Sequence, residues 1–545
     1  MDAAAQEFHP RTYSIKLWPP SASTRTMLIE KMTKNLCSES IFSRKYGLLR
    51  KEEAYENAKL IEEQCFAAAS EHFQKEPDGD GSSAVQFYAK ETSKLMMEVL
   101  KRGPESKDNG EIAATIGLVT KPSETVFDIS GGRRAFIEGE EVRQLLSPLI
   151  VQGNSYTKIC LSNRSFGIDA AHVAGPILAS VKEQLTEVNL SDFVAGRPED
   201  DALEVMKIFS SALEGCNLRY LNLSDNALGE KGVRAFGALL KSQNSLEELY
   251  LMNDGISEEA AKAICELIPS TDKLKILHFH NNMTGDEGAI AISELLKHSP
   301  IIEDFRCSST RVGSEGGIEL AKALKSCSHL KRIDIRDNIF GVDAGLALSK
   351  TLEKLVHIKE IYLSYLNLED EGTIAIANAL KESVPSLEVL DIAGNEITPK
   401  AAPALAECIA VKSSLTKLVL SENELKDQGV ILISKVLEEG HAQLKELDLS
   451  NNMIRRVGAR CLAQAVSNKP DFKLLNINGN EISDEGIDEV KEILKNGKNS
   501  LDVLGPLDEN DVEGEGGYEG NEDDVAEDDE GELGSKLQHL KVEQE

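Results

Sequence analysis

One pattern of apolar residues and asparagines recurs along most of this chain and limits what it can fold into. The pattern is LxxLxLxxNxL, where L is any apolar residue, and it recurs at steps of 28 or 29 residues. Its fourth and sixth positions are apolar in every copy, although only 41% of the chain is apolar, so chance does not explain it. The copies begin at Leu218, Leu246, Leu274, Ile302, Leu330, Ile358, Leu387, Leu415, Leu444 and Phe472.

This period and pattern predict leucine-rich repeats of the long, ribonuclease-inhibitor-like type. Each unit would be a short strand followed by a helix, and the asparagine at the ninth position would bond the backbone of a neighbouring turn. Stacked units give an α/β solenoid, a crescent with strands on its concave face and helices on its convex face. Aspartates such as Asp286 and Asp427 stand where the helices need N-caps.

The chain divides into four predicted parts. Residues 1–103 show three helical apolar patterns and predict a small all-α domain. Residues 104–122 are interpreted as a linker, and residues 123–507 as the repeat domain, closed by a half-unit at 501–507. Residues 508–545 form an acidic tail, and its high charge predicts disorder.

One step of the repeat is longer than the others. The interval from Leu185 to Leu218 is 33 residues, and the excess lies in residues 192–201. Insertions in a solenoid become loops on one rim, and such loops often carry function.

Charge, hydropathy and cysteines narrow the class of protein. The net charge of −32 opposes binding to nucleic acid or to an anionic membrane. No apolar stretch approaches the roughly 20 residues that cross a bilayer, and the start MDAAAQEFHP lacks signal-peptide features. The nine scattered cysteines contain no CxxC pair and predict reduced thiols inside the cell.

The sequence contains no motif of an enzyme that acts on its own. Phosphate-binding GxxxxGK[ST], HExxH and GxSxG motifs are all missing from it. His278 and His280 would share one face of a strand, but no third ligand stands at a fixed spacing, so no metal site is predicted.

Polar residues are expected on the concave face of the early and middle repeats. They form either an ordinary solvated surface or a site that binds a protein partner. These residues are Asp225, Tyr250, Asn253, Asp254, His278, His280, Asn281, Arg306, Asp334, Arg336 and Asp337.

Several motifs point to a known family. The N-terminal LWPPSASTR, with Trp18, Pro19 and Pro20, is followed by SIFSRKYGLL, and the repeats contain SDFVAGRPE, LNLSDNALGEKG, ELYLMNDGIS and FHNNMTGDEG. Together with the acidic tail, they resemble the plant Ran GTPase-activating proteins, with their WPP domain, along essentially the whole chain.

The resemblance implies that the crescent binds the small GTPase Ran in its GTP state and stimulates hydrolysis. Ran would supply the phosphate loop, the Mg²⁺ and the glutamine that orients the attacking water. The activator would then need no cofactor and would not itself be an enzyme. Asn253 would position Ran's glutamine in place of an arginine finger, and Arg197 corresponds to the functionally sensitive arginine of the family.

Further partner-binding residues follow from the same motifs, and some have a simpler structural interpretation. Asn226 occupies the ninth position and is expected to bond the backbone first, whereas Asn253 stands one residue earlier, with its side chain free. Arg197 could simply pair with Glu199 or Asp200. Many non-plant relatives have two asparagines where this chain has Asn253 and Asp254. The predicted partner-binding set is Asp225, Asn226, Asp254, His280, Asn281, Arg306 and Asp337.

The N-terminal domain is expected to place the protein in the cell. Trp18, with Pro19 and Pro20, either builds the core of the helical domain or docks on coiled-coil proteins of the nuclear envelope. The resemblance implies a cytoplasmic protein concentrated at the outer nuclear envelope and at cell-division structures, supporting nucleocytoplasmic transport. The alternatives are a non-catalytic adaptor and an inhibitor that caps an enzyme.

Overall fold

The computed structural model describes residues 18–20, 22–37, 49–75, 82–102, 125–131, 134–499 and 501–511. The chain divides into two compact units, residues 1–119 and 120–545. The predicted linker at 104–122 and the tail from residue 512 onward lie outside the described residues, so the predicted disorder of the tail stays a prediction. None of the helices in the described ranges combines the length and apolar character that crossing a bilayer requires.

The described residues of the first unit form three helices, as the apolar spacing predicts. They are Ala22–Leu36 (α1), Lys51–Lys75 (α2) and Ser82–Arg102 (α3). Their buried faces meet around Leu36, Ala58 and Cys65. The bidentate ion pair of Arg25 with the buried Glu62, at 2.6 Å, ties α1 to α2. The predicted small all-α domain is therefore confirmed.

The second unit is a solenoid, and thirteen strands of its described residues form the main parallel sheet. Equivalent residues of successive units stand side by side, as Leu221, Leu249 and Leu277 do in three neighbouring strands. The sheet comprises Val126–Asp128 (β1), Lys158–Cys160 (β3), Glu187–Asn189 (β5), Tyr220–Asn222 (β6), Glu248–Tyr250 (β7), Ile276–His278 (β8), Asp304–Arg306 (β9), Arg332–Asp334 (β10), Glu360–Tyr362 (β11), Val389–Asp391 (β12), Lys417–Val419 (β13), Glu446–Asp448 (β14) and Leu474–Asn476 (β15).

A helix or a pair of helices returns the chain from each strand of the main sheet from β3 onward. Their apolar faces pack on the sheet in one continuous core, which confirms the predicted leucine-rich-repeat solenoid. The helices are Gly139–Leu145 (α4), Ile168–Val181 (α5), Glu199–Ala212 (α6), Gly229–Ala235 (α7), Gly237–Lys241 (α8), Glu258–Leu267 (α9), Gly285–Lys297 (α10), Ser314–Leu324 (α11), Gly341–Leu352 (α12), Glu369–Glu382 (α13), Ala402–Ala410 (α14), Lys426–Glu439 (α15), Arg456–Ser467 (α16) and Asp484–Asn496 (α17), with 3₁₀ turns at Ser147–Ile150, Lys182–Gln184 and Leu501–Val503.

A second, two-stranded parallel sheet was not anticipated from the sequence. Ala135–Ile137 (β2) pairs with Arg164–Phe166 (β4) on the rim of the first repeats. It lies beside the long insertion at 192–201, because the backbone N–H of Phe166 donates to the carbonyl of Phe193 at 2.9 Å.

The aspartates predicted as N-caps act on a neighbour instead. Asp286 lies inside the first turn of α10, and its Oδ1 accepts the backbone N–H groups of Gly313 and Gly316 at 2.7 and 3.0 Å. Asp427 accepts the N–H of Arg455 at 2.8 Å in the same way. These carboxylates therefore cap the helix of the following repeat, which the one-dimensional pattern could not reveal.

The C-terminal end closes as a half-unit, as predicted, and continues slightly further. Leu504 forms a parallel bridge with Leu475. The backbone N–H of Glu509 donates to Asn478 Oδ1 at 3.0 Å, and that of Asp511 donates to the Asn480 carbonyl at 2.7 Å. The repeat unit therefore reaches Asp511, four residues beyond the predicted boundary at 507, because the first tail residues bond to the last turn.

Candidate functional site

The eighth position of every repeat forms a row of turns along one rim of the sheet. Each residue there adopts a positive φ, between 52° and 66°. Asparagine, aspartate and glycine tolerate this conformation best, which explains their frequency in the row. The residues are Asn163, Asp192, Asp225, Asn253, Asn281, Ser309, Asp337, Tyr365, Gly394, Glu422, Asn451 and Gly479.

Three exposed members of this row are linked by their side chains. Asn253 Nδ2 donates to Asp225 Oδ1 at 2.9 Å, and Asn281 Nδ2 donates to Asn253 Oδ1 at 3.0 Å. We call these three linked side chains, Asp225, Asn253 and Asn281, the amide rim. It corrects the expectation that the Asn253 side chain is free, because both of its polar atoms are already engaged across repeat boundaries.

The amide rim leaves Asn253 with hydrogen-bonding capacity to spare. A primary amide has two N–H donors and two lone pairs on its oxygen. One donor is directed to Asp225 and one lone pair to Asn281, so one of each remains at a solvent-exposed position. The side chain is thus held in one orientation while it can still bond a second primary amide.

A groove of about 560 Å³ opens beside the amide rim. Asn253, Asn281, Ser309, Arg311 and Asp337 line it. The structure thereby brings the predicted residues Asn253, Asn281 and Asp337 onto one exposed surface.

Directly beneath the rim, the ninth positions form a buried second row. Asn226 is 5% exposed, and its Nδ2 donates to the carbonyls of Leu190 and Leu223 at 2.8 and 2.7 Å. Its Oδ1 accepts the N–H of Phe193 at 2.9 Å. The expectation that Asn226 bonds the backbone first is confirmed, and its side chain is enclosed. Its place in the partner-binding set, directly or through the shape of the loop, stays a prediction.

Asp254 belongs to this buried row and not to the exposed surface. It is fully buried, and its Oδ1 accepts the backbone N–H of Asn226 at 2.8 Å. Asp254 was predicted to bind a partner, but the shift of one residue from Asn253 turns its side chain inward, so the structure does not place it on the exposed surface. Burial raises the pKa of the Asp254 carboxyl well above its usual range.

The sheet face next to the rim carries a compact charged cluster. Arg306 forms a bidentate ion pair with Asp304 at 2.7 and 3.0 Å, and His278 Nε2 lies 3.3 Å from Asp304 Oδ1. Burial alone would raise the pKa of Asp304, but His278 and Arg306 outweigh it and hold that pKa below its ordinary value. Burial, with His278 and Arg306 nearby, lowers the pKa of His280. Arg306 is thus half-buried and already paired.

Arg197 is enclosed by the two-stranded sheet rather than extended toward solvent. Its guanidinium donates to the Ser165 carbonyl at 2.7 Å, to Ser165 Oγ at 3.1 Å and to the Ile137 carbonyl at 3.3 Å. It pairs with Glu138 at 2.8 Å and stacks over Phe136 at 4.9 Å. The side chain is only 13% exposed, which suits an anchor and not a mobile finger.

The expected pairing of Arg197 with Glu199 or Asp200 is corrected by this network. Glu199 instead pairs with Lys231 at 2.6 Å. Asp192, at the start of the insertion, forms a bidentate pair with Arg134 at 2.7 and 3.0 Å. The inserted loop is therefore fastened at its start and near its middle to residues that flank β2, some 60 positions earlier in the chain.

Trp18 lies in the core of the helical unit. It is 4% exposed, with its ring 5.3 Å from that of Phe66 and 5.8 Å from that of Tyr88. The core interpretation is confirmed because the other rings cover the Trp18 ring. Docking on coiled-coil proteins of the envelope stays a prediction. Pro19 is exposed, and Pro20 is half-buried.

Sequence comparisons agree with both units. The family model of the WPP domain matches residues 14–110, and the Leucine Rich repeat model matches 216–237, 385–406, 411–434, 442–463 and 469–490. The RAN GTPase-activating protein 2 of Arabidopsis thaliana is 70% identical over 506 residues, which are 93% of this chain and 92% of that protein. The chain belongs to the Ran GTPase-activating protein family.

Two further relatives differ in how much of this chain they cover. The RAN GTPase-activating protein 1 of Arabidopsis thaliana is 63% identical over 544 residues, 100% of this chain and 99% of that protein. The MFP1 attachment factor 1 of Solanum lycopersicum is 38% identical over 123 residues, which are only 22% of this chain but 74% of that protein. The resemblance seen in the sequence motifs is therefore confirmed.

Sequence reasoning missed the residues that hold the others in place. Glu138 and Arg134 lie far along the chain from the loop that they fasten, and no periodicity connects them to it. Asp304 was equally hidden, although it stands two residues before Arg306, the spacing that puts both side chains on one face of a strand.

Proposed function

We propose that this protein stimulates GTP hydrolysis by Ran, and that Asn253 positions the catalytic glutamine of Ran. The observation that carries the proposal is the amide rim, which holds an exposed asparagine by Asp225 and Asn281 with donor and acceptor capacity left over. Two relatives named RAN GTPase-activating proteins, 70% and 63% identical over nearly the whole chain, support it.

The chemistry requires positioning rather than a new reactive group. In small GTPases the nucleotide, the Mg²⁺ and the glutamine that orients the attacking water all belong to the GTPase. The spare N–H and lone pair of Asn253 match the side-chain amide of a glutamine, and two such hydrogen bonds fix an amide plane. Because Asn253 is already oriented, this contact costs little further side-chain entropy. The activator then holds no nucleotide or metal and is not itself the enzyme.

Arg197 supports this arrangement from outside the contact. Its enclosed guanidinium keeps the inserted loop against the two-stranded sheet. A groove of about 610 Å³ separates that loop from the turn that carries Asp225. In this proposal Arg197 is a positioning residue that shapes the rim on which Ran lies, together with exposed Asp225, Asn281 and Asp337 and half-buried His280 and Arg306.

A single-turnover assay tests the proposed activity. Ran loaded with GTP is mixed with the full chain, and phosphate release is timed against the intrinsic reaction. The proposal expects acceleration by several orders of magnitude, the range by which activators speed other small GTPases. An unchanged rate would mean a binding module without catalytic effect.

We also propose that the helical unit places the protein at the outer face of the nuclear envelope. The likeness of this unit to the WPP domain and to MFP1 attachment factor 1 supports this role. Coiled-coil proteins of the envelope would be its partners, and contact would pass through exposed residues such as Pro19 while Trp18 maintains the fold. The protein would then keep cytoplasmic Ran in the GDP state, support nucleocytoplasmic transport and also reach cell-division structures.

A further inference from the structure

The buried row beneath the amide rim contains a carboxyl group at Asp254, where most members of the row are asparagines. Six asparagines of this row each donate Nδ2 both to a carbonyl of their own repeat and to the equivalent carbonyl of the preceding repeat. They are Asn226, Asn282, Asn338, Asn395, Asn423 and Asn480. Asp254 occupies the same position between Asn226 and Asn282.

The backbone around Asp254 follows the pattern of its neighbours. Asp254 Oδ1 accepts the N–H of Asn226 at 2.8 Å, as Asn282 Oδ1 accepts the N–H of Asp254 at 3.0 Å. Because Oδ1 of Asp254 makes the same contact as Oδ1 of its neighbours, Oδ2 of Asp254 takes the position that Nδ2 occupies in Asn226 and Asn282. The carbonyls at that place are those of Leu223 and Leu251.

That second oxygen is buried without a partner. Among the described residues, Asp254 Oδ2 has neither solvent exposure nor a hydrogen bond. An ionised carboxylate is only an acceptor, so it would face carbonyl oxygens with nothing between them. A buried charge in that state is strongly unfavourable.

One proton resolves the conflict. We propose that Asp254 works as a neutral carboxylic acid whose Oδ2–H donates to the carbonyls of the Leu223 and Leu251 row, making it a positioning residue for the turns that present Asp225 and Asn253. Each of these carbonyls already accepts one asparagine side chain and has a second lone pair. The Leu420 carbonyl shows that one oxygen can accept two such donors, since Asn423 and Asn452 each bond it at 2.9 Å.

The electrostatic surroundings favour the neutral form. Burial is the main cause that raises the pKa of Asp254, and the nearby carboxylate of Asp225 adds to it. The N–H of Asn226 acts in the opposite direction, and the row neighbours Asn226 and Asn282 carry no charge. Asp225 is thus the titratable side chain whose charge acts on this carboxyl from the adjoining turn.

The consequence deepens the proposed function and rests on it. Asp254 connects the backbone of Asn226 to the repeat that carries Asn253, so its proton helps to fix the separation between Asp225 and Asn253. Loss of that proton at high pH would loosen the amide rim without removing any residue that contacts Ran.

The protonation state can be measured on the full chain without Ran. The infrared spectrum at neutral pH is expected to contain the C=O stretch of a protonated carboxyl, which Asp254→Asn removes and the matched exposed variant Asp225→Asn retains. Identical spectra of wild type and Asp254→Asn would overturn the proposal.

The pH dependence of stability is a second measurement. A folded state that binds this proton more tightly than the unfolded state loses stability as pH rises toward the folded-state pKa. Relative to Asp254→Asn, the folding equilibrium constant of wild type should fall by up to about tenfold per pH unit above the unfolded-state pKa of about 3.9, until the folded-state pKa is reached.

The single-turnover rate of Ran activation then shows whether Asp254 positions the amide rim or only stabilises the fold. Asp254→Ala should lower the single-turnover rate about fivefold, since it removes both the acceptor for Asn226 and the donor. Asp254→Asn, which supplies acceptor and donor without titration, should restore the rate and flatten its decline at high pH. Equal pH profiles for wild type and Asp254→Asn would contradict the proposal. A wild-type chain that leaves Ran unaffected would refute the proposed function instead, while the infrared result would stand.

Discussion

The carboxylate of Asp225 holds the amide of Asn253 across the boundary between two repeats, at 2.9 Å between Oδ1 and Nδ2. The two residues occupy the same turn position, 28 residues apart, and both have a positive φ. A solenoid thus converts a sequence period into a row of side chains with a fixed separation. The orientation of Asn253 is set by the protein before any partner arrives.

Removing the Asn253 amide should weaken activation of Ran while the fold remains. Asn253→Ala is expected to slow stimulated hydrolysis at least about tenfold, equivalent to ~1.4 kcal/mol of barrier, because Ran's glutamine loses its positioning contact. The measurement is single-turnover phosphate release at saturating activator. Asn451→Ala is the matched control, since Asn451 occupies the same exposed turn position near the far end of the solenoid and should leave the rate unchanged.

Arg197 and its partner Glu138 should contribute unequally. Arg197→Ala removes the guanidinium that donates to the Ser165 carbonyl and hydroxyl, so we expect a cost of about 1–3 kcal/mol in the stability of the inserted loop. Glu138→Gln should cost only about 0.2–1 kcal/mol, because the carboxylate is largely exposed to solvent. Hydrogen exchange of the loop amides at 192–197 measures both effects.

The kinetics of Arg197→Ala show whether Arg197 holds the inserted loop in place or acts directly on the reaction as an arginine finger. If Arg197 anchors the loop, Arg197→Ala should raise the KM for Ran more than it lowers kcat. A fall in kcat alone, with the loop amides still protected, would contradict the anchoring role.

Trp18 should matter for localisation through the fold of the helical unit. Trp18→Ala opens a core that includes Phe66 and Tyr88, and such truncations cost about 3–5 kcal/mol. We expect this unit to unfold at a lower temperature and the protein to disperse from the nuclear envelope, while activation of Ran in solution persists. Pro19→Ala, at an exposed position, should keep the thermal transition. A Trp18→Ala protein that still accumulates at the envelope would contradict this prediction.

Burial of His441 should make the free energy of unfolding of the repeat unit decrease at acid pH. This ring is 6% exposed, and its Nε2 lies 2.7 Å from the Ile409 carbonyl at the end of α14. Burial lowers the pKa of His441, so the unfolded state binds the proton more tightly, and stability falls as pH drops below about 6.5 toward the folded-state pKa. The loss should approach ~1.4 kcal/mol per pH unit while only the unfolded state is protonated.

The His441→Asn variant isolates that component. The Asn499 amide donates to the Val466 carbonyl near the end of α16, as the His441 ring contacts a carbonyl near the end of α14, so an asparagine amide suits such a site. Urea unfolding at several pH values should show a flatter acid limb for His441→Asn than for wild type. The exposed His298→Asn serves as control and should keep the wild-type slope. Equal slopes for wild type and His441→Asn would show that His441 has no part in the acid response.

The sequence predicts the solenoid well because the period records the packing directly. The fourth and sixth pattern positions face the core in every repeat, and Leu221 and Leu223 are fully buried as the pattern requires. The same repeat pattern predicts that Asn226, at the ninth position, bonds the backbone. Each of these residues acts within its own repeat or on the adjacent one, and that is the range that a periodic pattern encodes.

The candidate site was less predictable because it depends on single-residue phase and on distant contacts. Asn253 and Asp254 are neighbours, yet one is exposed and the other fully buried. The pairing of Arg197 with Glu138 spans 59 positions and joins the inserted loop to the residue that follows β2. Asp286 caps the helix of the next repeat, although its place in the sequence suits a cap on its own helix. In each case the deciding contact lies outside the segment that carries the residue.

The most direct test of the account is the rate of phosphate release when GTP-loaded Ran meets the purified chain in a single turnover. We predict acceleration by several orders of magnitude for wild type and for Asn451→Ala, and a deficit of at least about tenfold for Asn253→Ala. A wild-type rate no faster than Ran alone would contradict the proposed activity, and equal rates for wild type and Asn253→Ala would remove the amide rim from the mechanism.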